Sequence, residues 1–431
     1  MMVSHWKDEL QAGYRLETIQ DLDPLLDMIG DSRYVLIGEA SHGTSDYYLW
    51  RARLSQRLIQ EKGFSFIAVE GDWPDCYRVN RYVKHYDNAG TSAYDVLQAF
   101  HRWPTWMWAN WEVAAFTEWL RQHNQNRPPE ERVGFYGLDV YSLWESLGEV
   151  VEYLQKFDPE AVETAKRAFD CFEPYGEDVQ RYAWATAMIP TNCETEVIET
   201  LMELRRRTPT YPSDHEASFD AEQNALVMVN GEQYYRTMVL SDNSSWNVRD
   251  HHMAETLERL MAHHGDNAKA IVWEHNTHIG DARATDMASA GMVNVGQLVR
   301  ERQQAEGVVL VGFGSHHGSV VASDSWGAPM ERMPVPPARL DSWEGMLHSA
   351  SAVDRILLLR DDPADEYREL RGHRAIGVVY HPDRERYGNY VPTILAQRYD
   401  AFIYLDETQA LHPLHIESVS KAAPDLYPWG F

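Results

Sequence analysis

Six short apolar runs, each halting at an ionisable residue, constrain this chain more than any other feature of it. They are "YVLIGEA" (34–40), which carries Glu39 at its end, "FSFIAVE" at Glu70, "VGFYGLD" at Asp139, "AIVWEH" at His275, "VVLVGFGSH" at His316 and "AIGVVYH" at His381. Continuous apolar runs fit strands buried on both faces, the setting of a parallel sheet covered by helices. Between the first two runs, Tyr48, Leu49, Leu54, Leu58 and Ile59 recur near helical spacing from Ser45, with Gly63 as the stop. Strand, helix and strand make a βαβ unit, parallel and right-handed in nearly all cases, so Glu39 and Glu70 are expected at one edge of one sheet. "ILLLR" (356–360) and "FIYLD" (402–406) are weaker additions.

The alternation breaks between 141 and about 265, where "LWESLGEVVEYLQKF", "EVIETLMELRRR" and "HHMAETLERLMAHH" read as helices with hardly a strand among them. The expected organisation is a first part of an α/β core over 1–140, a helical insertion lining a cleft over 141–265, and the second part of the core over 266–431. The Pro- and Ser-rich stretch "RTPTYPSDHEAS" (207–218) is expected to separate helices within the insertion. In open α/β sheets ligands bind outside the carboxyl ends of the strands, so a crevice fed by these ends is the default site.

A net charge of −27, from 39 Lys plus Arg against 66 Asp plus Glu, sets nucleic acid aside as a partner. The N-terminal "MMVSHWKDELQ" turns polar too soon for a signal peptide, and no apolar run approaches the roughly 18 residues of a membrane span, so a cytoplasmic location is expected. Cys76, Cys171 and Cys193 are an odd number without CxxC spacing, and are expected reduced.

Glu39, His42, Glu70, His275 and His278 form a set of carboxylates and imidazoles drawn from at least three strand ends. An acid that ends an apolar strand must find donors or counter-charges, because burying it unpaired is expensive. Arg51, Arg53 and Arg78 are near enough in sequence to serve, so structural ion pairs compete with chemistry as an explanation. Recurrence at several ends of one sheet tips the balance to chemistry. Aromatic residues of "RWPTWMWANWEVAAF" can wall a cleft for an apolar substrate or fill a core.

Ser41 lies in "GEASHG", spaced G-x-x-S-x-G, which is not the nucleophile elbow of serine hydrolases, and no phosphate-cradling motif follows the first strand. "GFGSHHGS" (312–319) is Gly-rich but matches neither phosphate motif. Two hydrolytic mechanisms remain open on the residues alone. In one, neutral His42 takes a proton from water while a carboxylate fixes its tautomer. In the other, the same His and Glu residues bind a divalent metal that activates the water.

The chain resembles the erythromycin esterase family, which hydrolyses the lactone ring of macrolides and includes many uncharacterised bacterial members, some described as succinoglycan biosynthesis proteins. The resemblance rests on "IGEASHGTSDYY", "GFSFIAVE", the "RYAWATAM" type of helical segment, "WNVRDHHMAETL", "VWEHNTHIGDAR", "VGFGSHHGSVVASDSWGAPMERMPVPPA" and "YVPTILAQRYDAFIYLDETQALHPL", together nearly the whole chain. It implies a three-layer α/β/α core with a largely parallel sheet plus a helical insertion, and a deep cleft between them. It implies His42 as water-activating base, Glu39 and Glu70 as its carboxylates, His275 and His278 as a second histidine pair, and Arg51 and Arg78 as cleft arginines. No cofactor is required by it, although a divalent metal on Glu39, His42, Glu70, His275 and His278 stays open. The substrate it implies is a small molecule, an ester or a macrolide, with neither nucleic acid nor membrane as partner. A non-catalytic binder of an apolar ligand is the alternative of another class.

Overall fold

The structure, a computed structural model, describes residues 13–176, 179–188, 192–207, 215–239, 242–360 and 363–415. The N-terminal stretch read against a signal peptide lies wholly outside these residues, as do 208–214 of the Pro- and Ser-rich stretch.

The strands are β1 (Tyr14–Arg15), β2 (Tyr34–Ile37), β3 (Phe66–Asp72), β4 (Gly134–Asp139), β5 (Ala270–Trp273), β6 (Val308–Ala322), β7 (Glu331–Val335), β8 (Arg355–Leu358), β9 (Leu370–Arg374), β10 (Tyr390–Ile394) and β11 (Ala401–Thr408). One large sheet runs in the order β1-β8-β11-β6-β2-β5-β3-β4, with β7 joined to β6. The six strands from β11 to β4 are mutually parallel. Antiparallel β8, β1 and β7 blunt its margin, and β9 with β10 forms a separate pair.

Both faces of the parallel part are apolar, as its unbroken hydrophobic runs require. On one face Val35, Ile37, Ile67, Val69, Ile271 and Val309 pack with Leu54 and Leu58 of the helix Ser45–Lys62 and Phe116 of the helix Trp111–Asn124. On the other, Leu36, Ala68, Val272 and Leu310 meet Met253 and Leu257 of the helix Asp242–His264, with Val299 and Leu347 from two further helices. This is the expected three-layer arrangement.

Between β4 and β5 the described residues hold helices and no strand. They have a core of their own, in which Leu147, Val150, Val197, Leu201, Ala225 and Met228 pack from three helices. Cys171 and Cys193, expected reduced, form a disulfide there, while Cys76 is free and buried. Nothing in the spacing could show this, because the pairing depends on how two helices of the segment lie together. None of the described helices is long and apolar enough to cross a membrane.

"AIGVVYH" is not a strand of the sheet. Its residues make isolated bridges only, Ile376 to Ser41 and Val379 to Ser323, and the run crosses the carboxyl edge of the sheet. Its apolar character comes from lying against neighbouring loops at that edge, where Gly377, Val378 and Val379 border a cleft.

β2 and β3 share the direction the βαβ pattern predicts, but they are not neighbours. β5, arriving some 200 residues later, lies between them. That insertion sets His275 between Glu39 and Glu70: the His275 backbone N–H donates to Glu70 Oε2 (2.8 Å) and the Asn276 N–H to the Glu39 carbonyl (2.8 Å).

Candidate active site

The turn after β2 is fixed by its neighbours rather than by its own hydrogen bonds. Gly43 accepts from the backbone N–H groups of Val321 and Leu411. A Cβ built on Gly43 would stand 1.8 Å from the Val321 carbonyl oxygen, so no larger residue fits the approach. Ser41 hydrogen-bonds Thr44 inside the turn and is buried, which leaves it no nucleophilic role. The helix that follows returns Arg51 beneath the turn.

His42 Nδ1 lies 2.9 Å from Glu39 Oε1, and Glu39 Oε2 lies 2.6 Å from Arg51 Nη2. All three are buried. Arg51 also covers the faces of Tyr48 and Trp273, at 4.2 and 5.0 Å. Arg51 is thus close behind the carboxylate, not a wall of the cleft. With Nδ1 committed to a carboxylate, the proton sits there and Nε2 keeps its lone pair. Burial alone would lower the His42 pKa, but the charge of Glu70 and the bond to Glu39 outweigh it and hold the value above the ordinary one.

His275 has the opposite tautomer. Its Nδ1 accepts from the Thr277 backbone N–H as a helix cap and lies 2.8 Å from Thr277 Oγ1. The proton therefore belongs on Nε2, a buried atom that makes no side-chain hydrogen bond and whose ring lies beside the Ala40 backbone. Burial, then the charge of His42, push the His275 pKa well below the usual imidazole range, so this ring stays neutral. The two rings lie 4.9 Å apart. One offers a lone pair and the other an N–H.

Glu70 is reached by a residue that the strand-end pattern misses. Arg249 Nη2 donates to Glu70 Oε1 (2.8 Å) and Asp139 Oδ2 (2.7 Å), Nε donates to Asp139 Oδ1 (2.9 Å), and Nη1 lies 2.9 Å from His278 Nε2. His278 Nδ1 is held by Asp250 at 2.9 Å, and its ring stacks on Trp246 at 4.5 Å. Burial would raise the Glu70 pKa, yet His278, His42 and Arg249 together hold it well below the usual carboxylate range. Glu274, on the same loop, has neither oxygen bonded among the described residues, and burial followed by the charge of Glu70 pushes it far up. One guanidinium serves two carboxylates here, and Glu274 stays protonated.

Trp246, Arg249 and Asp250 stand at i, i+3 and i+4 on the helix Asp242–His264, with Met253 and Leu257 continuing the same buried face. Two charged residues inside such a stripe were the available signal. Arg78, by contrast, does not reach the site. The buried face of its helix is Cys76, Val79, Asn80 and Val83, and Arg78 turns outward to Asp75 and Glu149 with its side chain 49% exposed. The central cleft arginine is Arg249.

The cleft itself has a volume of about 1100 Å³, including the space open at its mouth. His42, Glu70, Asp139, Arg249, His275 and His278 form its floor. Phe100, Trp103, Trp108 and Trp326, with Met107, form an apolar, mostly aromatic wall, and Tyr141 and Trp246 of the helical segment also line the cleft. Of the Trp-rich stretch, Trp106 is in the core and Trp111 on the surface. Asp72 and Asp75 line the mouth. Burial pushes them up to about 7 and about 6, against the charges of Arg102 and Arg78 respectively.

Glu39, His42, Glu70, His275 and His278 do not suit a metal ion in this arrangement. Two of the five donors, Glu70 and His278, already converge on the guanidinium of Arg249. His42 Nδ1 is spent on Glu39 and His275 Nδ1 on Thr277. A divalent ion at the centre of this set would share its donors with a fixed cation.

The erythromycin esterase family model matches residues 59–408. The chain is 20% identical over 414 residues to the putative hydrolase YbfO of Bacillus subtilis, covering 90% of this chain and 86% of that one. It is 22% identical over 301 residues to the erythromycin esterase type II of Escherichia coli, covering 65% and 69%. Among solved structures, a succinoglycan biosynthesis protein shares the fold with a TM-score of 0.77 at 21% identity, over 94% of this chain and 97% of that one. An erythromycin esterase mutant in its open conformation shares it with a TM-score of 0.66 at 16% identity, over 93% and 96%.

Proposed function

The chain belongs to the erythromycin esterase family, which supports a hydrolase, and from that premise we propose that it hydrolyses a carboxylic ester or macrolactone by a water that His42 activates. The observation that carries the reading is the His42–Glu39–Arg51 line, whose free Nε2 belongs to a ring bordering an aromatic cleft.

The steps follow from the two tautomers. His42 Nε2 removes a proton from water as the oxygen attacks the carbonyl carbon. Glu39 and Glu70 stabilise the imidazolium that forms, the first by its hydrogen bond and the second by its charge. The negative charge developing on the carbonyl oxygen is met by His275 Nε2–H, a neutral donor in a buried setting. Collapse of the tetrahedral intermediate breaks the bond to the alkoxide, which takes its proton back from His42. His278 and Arg249 hold Glu70 in place. A cleft open at its mouth and walled by indoles suits a bulky apolar ring such as a macrolide, whose opening would inactivate it.

The test is a screen of macrolides and simple esters with the purified chain, read by mass spectrometry as the gain of one water. On the substrate so found, His42→Asn should lower turnover by about 10² to 10⁴ with the fold intact. An unchanged rate removes His42 as base, and bound but unaltered ligand across the screen points to a binder instead.

A further inference from the structure

A second polar cluster lies at the carboxyl edge of the sheet, among residues the cleft does not use. "GFGSHHGS" carries β6 to His316 and His317, and the register of β6 with β11 pairs Ser315 with Leu405 and His317 with Glu407. His316 is therefore level with Asp406 on the next strand, and both side chains leave the face occupied by Leu310 and Phe402. The helix Trp343–Ala350, capped at its start by Ser342, packs on that face and brings His348 to the same point.

We propose that His316, His348 and Asp406 bind a divalent transition-metal ion, zinc in the first place. One ligand atom from each lies within 4.8 Å of the other two. Two imidazoles with one carboxylate are the donor set that zinc and its neighbours in the first row favour, with a fourth position for water or a further side chain. His317 lies beside His316, with its Nδ1 3.1 Å from that of His316, but its ring is 6.5 Å from that of His348, so the fourth position is left to water.

The surroundings orient the donors. Asp406 Oδ1 is 2.7 Å from His348 Nδ1 and accepts from Tyr404 Oη at 2.7 Å, while the Asp406 N–H is held by Asp354 Oδ1 at 2.8 Å. Tyr404, and Asp354 through the Asp406 backbone, are outer partners that fix the carboxylate, whereas the His348–Asp406 bond joins two proposed ligands and gives way to the ion. Two acidic groups, Asp406 and Asp354, face the site, against Arg355, whose guanidinium lies over the Tyr404 ring and donates to the Leu347 carbonyl, and Arg374, which donates to the Ser315 and His316 carbonyls. Arg374 is committed to these carbonyls and to Glu385, and bonds none of the three donor side chains.

Binding requires one movement. His316 and His348 stack in parallel with centroids 3.6 Å apart, and one ion cannot lie in both ring planes. The His348 ring must turn out of the stack, and its side chain, 35% exposed, has the room. The ion then ties the helix Trp343–Ala350 to the ends of β6 and β11. Its role is structural, because none of the three ligands borders the cleft.

The experiment is zinc titration of the full chain by calorimetry, with metal content measured by mass spectrometry after dialysis, for the wild type, His348→Gln, Asp406→Asn and His42→Asn. The expected result is one zinc per chain in the wild type and in His42→Asn, with affinity at least tenfold weaker in His348→Gln and Asp406→Asn. Metal-free melting temperatures of the two weakened variants should match the wild type, which separates lost binding from lost folding. Equal zinc affinity in all four proteins, no zinc uptake by the wild type, or loss confined to His42→Asn would each overturn the proposal. The last result would place the ion in the cleft, and it leaves the hydrolysis screen to be judged by itself.

Discussion

Two groups of imidazoles and carboxylates occupy the carboxyl edge of the same sheet, and they are put together differently. In the cleft, Glu70, Asp139 and His278 converge on the guanidinium of Arg249, so the cation at the centre is part of the chain. At β6 and β11, His316, His348 and Asp406 lie together, and the neighbouring Arg374 is spent on backbone carbonyls and Glu385 and bonds none of the three side chains. Strand ends collect ionisable side chains in both places. Whether a helix supplies the central charge decides if the group is closed on itself or open to an ion.

Removing the internal cation is the most direct way to break that contrast. Arg249→Met leaves Glu70 and Asp139 buried without their partner, which should cost about 3–5 kcal/mol of stability. Activity should fall with it, because Glu70 is what Arg249 holds. Denaturant unfolding with and without zinc reads both effects. Zinc that restores stability to Arg249→Met but not to Arg249→Met with Glu70→Gln would mean that the cleft differs from the second cluster only by its arginine.

The helical segment packed beside the helix of Arg249 carries a disulfide, from Cys171 in the helix Val162–Phe172 to Cys193 just ahead of the helix Glu194–Arg207, whereas the β6 and β11 cluster rests on the sheet. Cys171→Ser with Cys193→Ser opens the bridge at an expected cost of about 2–4 kcal/mol. The melting temperature should drop and hydrolysis weaken, while zinc stoichiometry stays as in the wild type. A melting temperature equal to that of the parent would show that the helical segment is held by its own core alone.

The strands were readable from sequence as apolar runs, although only Asp139 is a last residue: β2 ends at Ile37 and β5 at Trp273, before the ionisable residues, while β3 runs past Glu70 to Asp72 and β6 past His316 to Ala322. Glu39, His42, Glu70, His275 and His278 were found that way, and all but Glu39 border the cleft floor. What was hidden depended on other elements. Arg249 and Asp250 sit in mid-helix, where a charge is ordinarily solvated, and only the burial of that face makes them part of the site. Arg78 failed for the converse reason, since closeness in sequence to a strand end says nothing about which side of a helix faces the cleft. "AIGVVYH" was apolar enough for a strand but never enters the ladder. The placement of β5 between β2 and β3 is a long-range pairing that local pattern does not encode.

A finer test addresses the charge on His42 itself. Its pKa is raised chiefly by Glu70 and by Glu39 against the effect of burial. The neutral ring is the active form, so kcat/KM should climb with pH through an inflection above the ordinary imidazole value near 6.5. Glu39→Gln removes a hydrogen bond to the imidazolium and a negative charge, and both changes lower the pKa. The inflection should move down in pH while the plateau falls by about tenfold. A profile that keeps its inflection in Glu39→Gln would assign the titration to another group.

The smallest effect should come from Arg78, the arginine that belongs to neither cluster. The Arg78 side chain is 49% exposed although its partner Asp75 is only 14% exposed, and pairs with such a solvated member contribute about 0–1 kcal/mol. Arg78 nevertheless opposes the rise in the Asp75 pKa to about 6, and Asp75 lines the cleft mouth. Arg78→Ala should therefore leave kcat unchanged within about twofold and shift KM only between pH 6 and 8, where Asp75 would stay protonated longer. Arg51→Met, two turns into the helix after the first strand, removes the charge behind Glu39 and should lower kcat at every pH. If the two substitutions behaved alike, the division between a buried line that acts on His42 and a solvated pair at the rim would not hold.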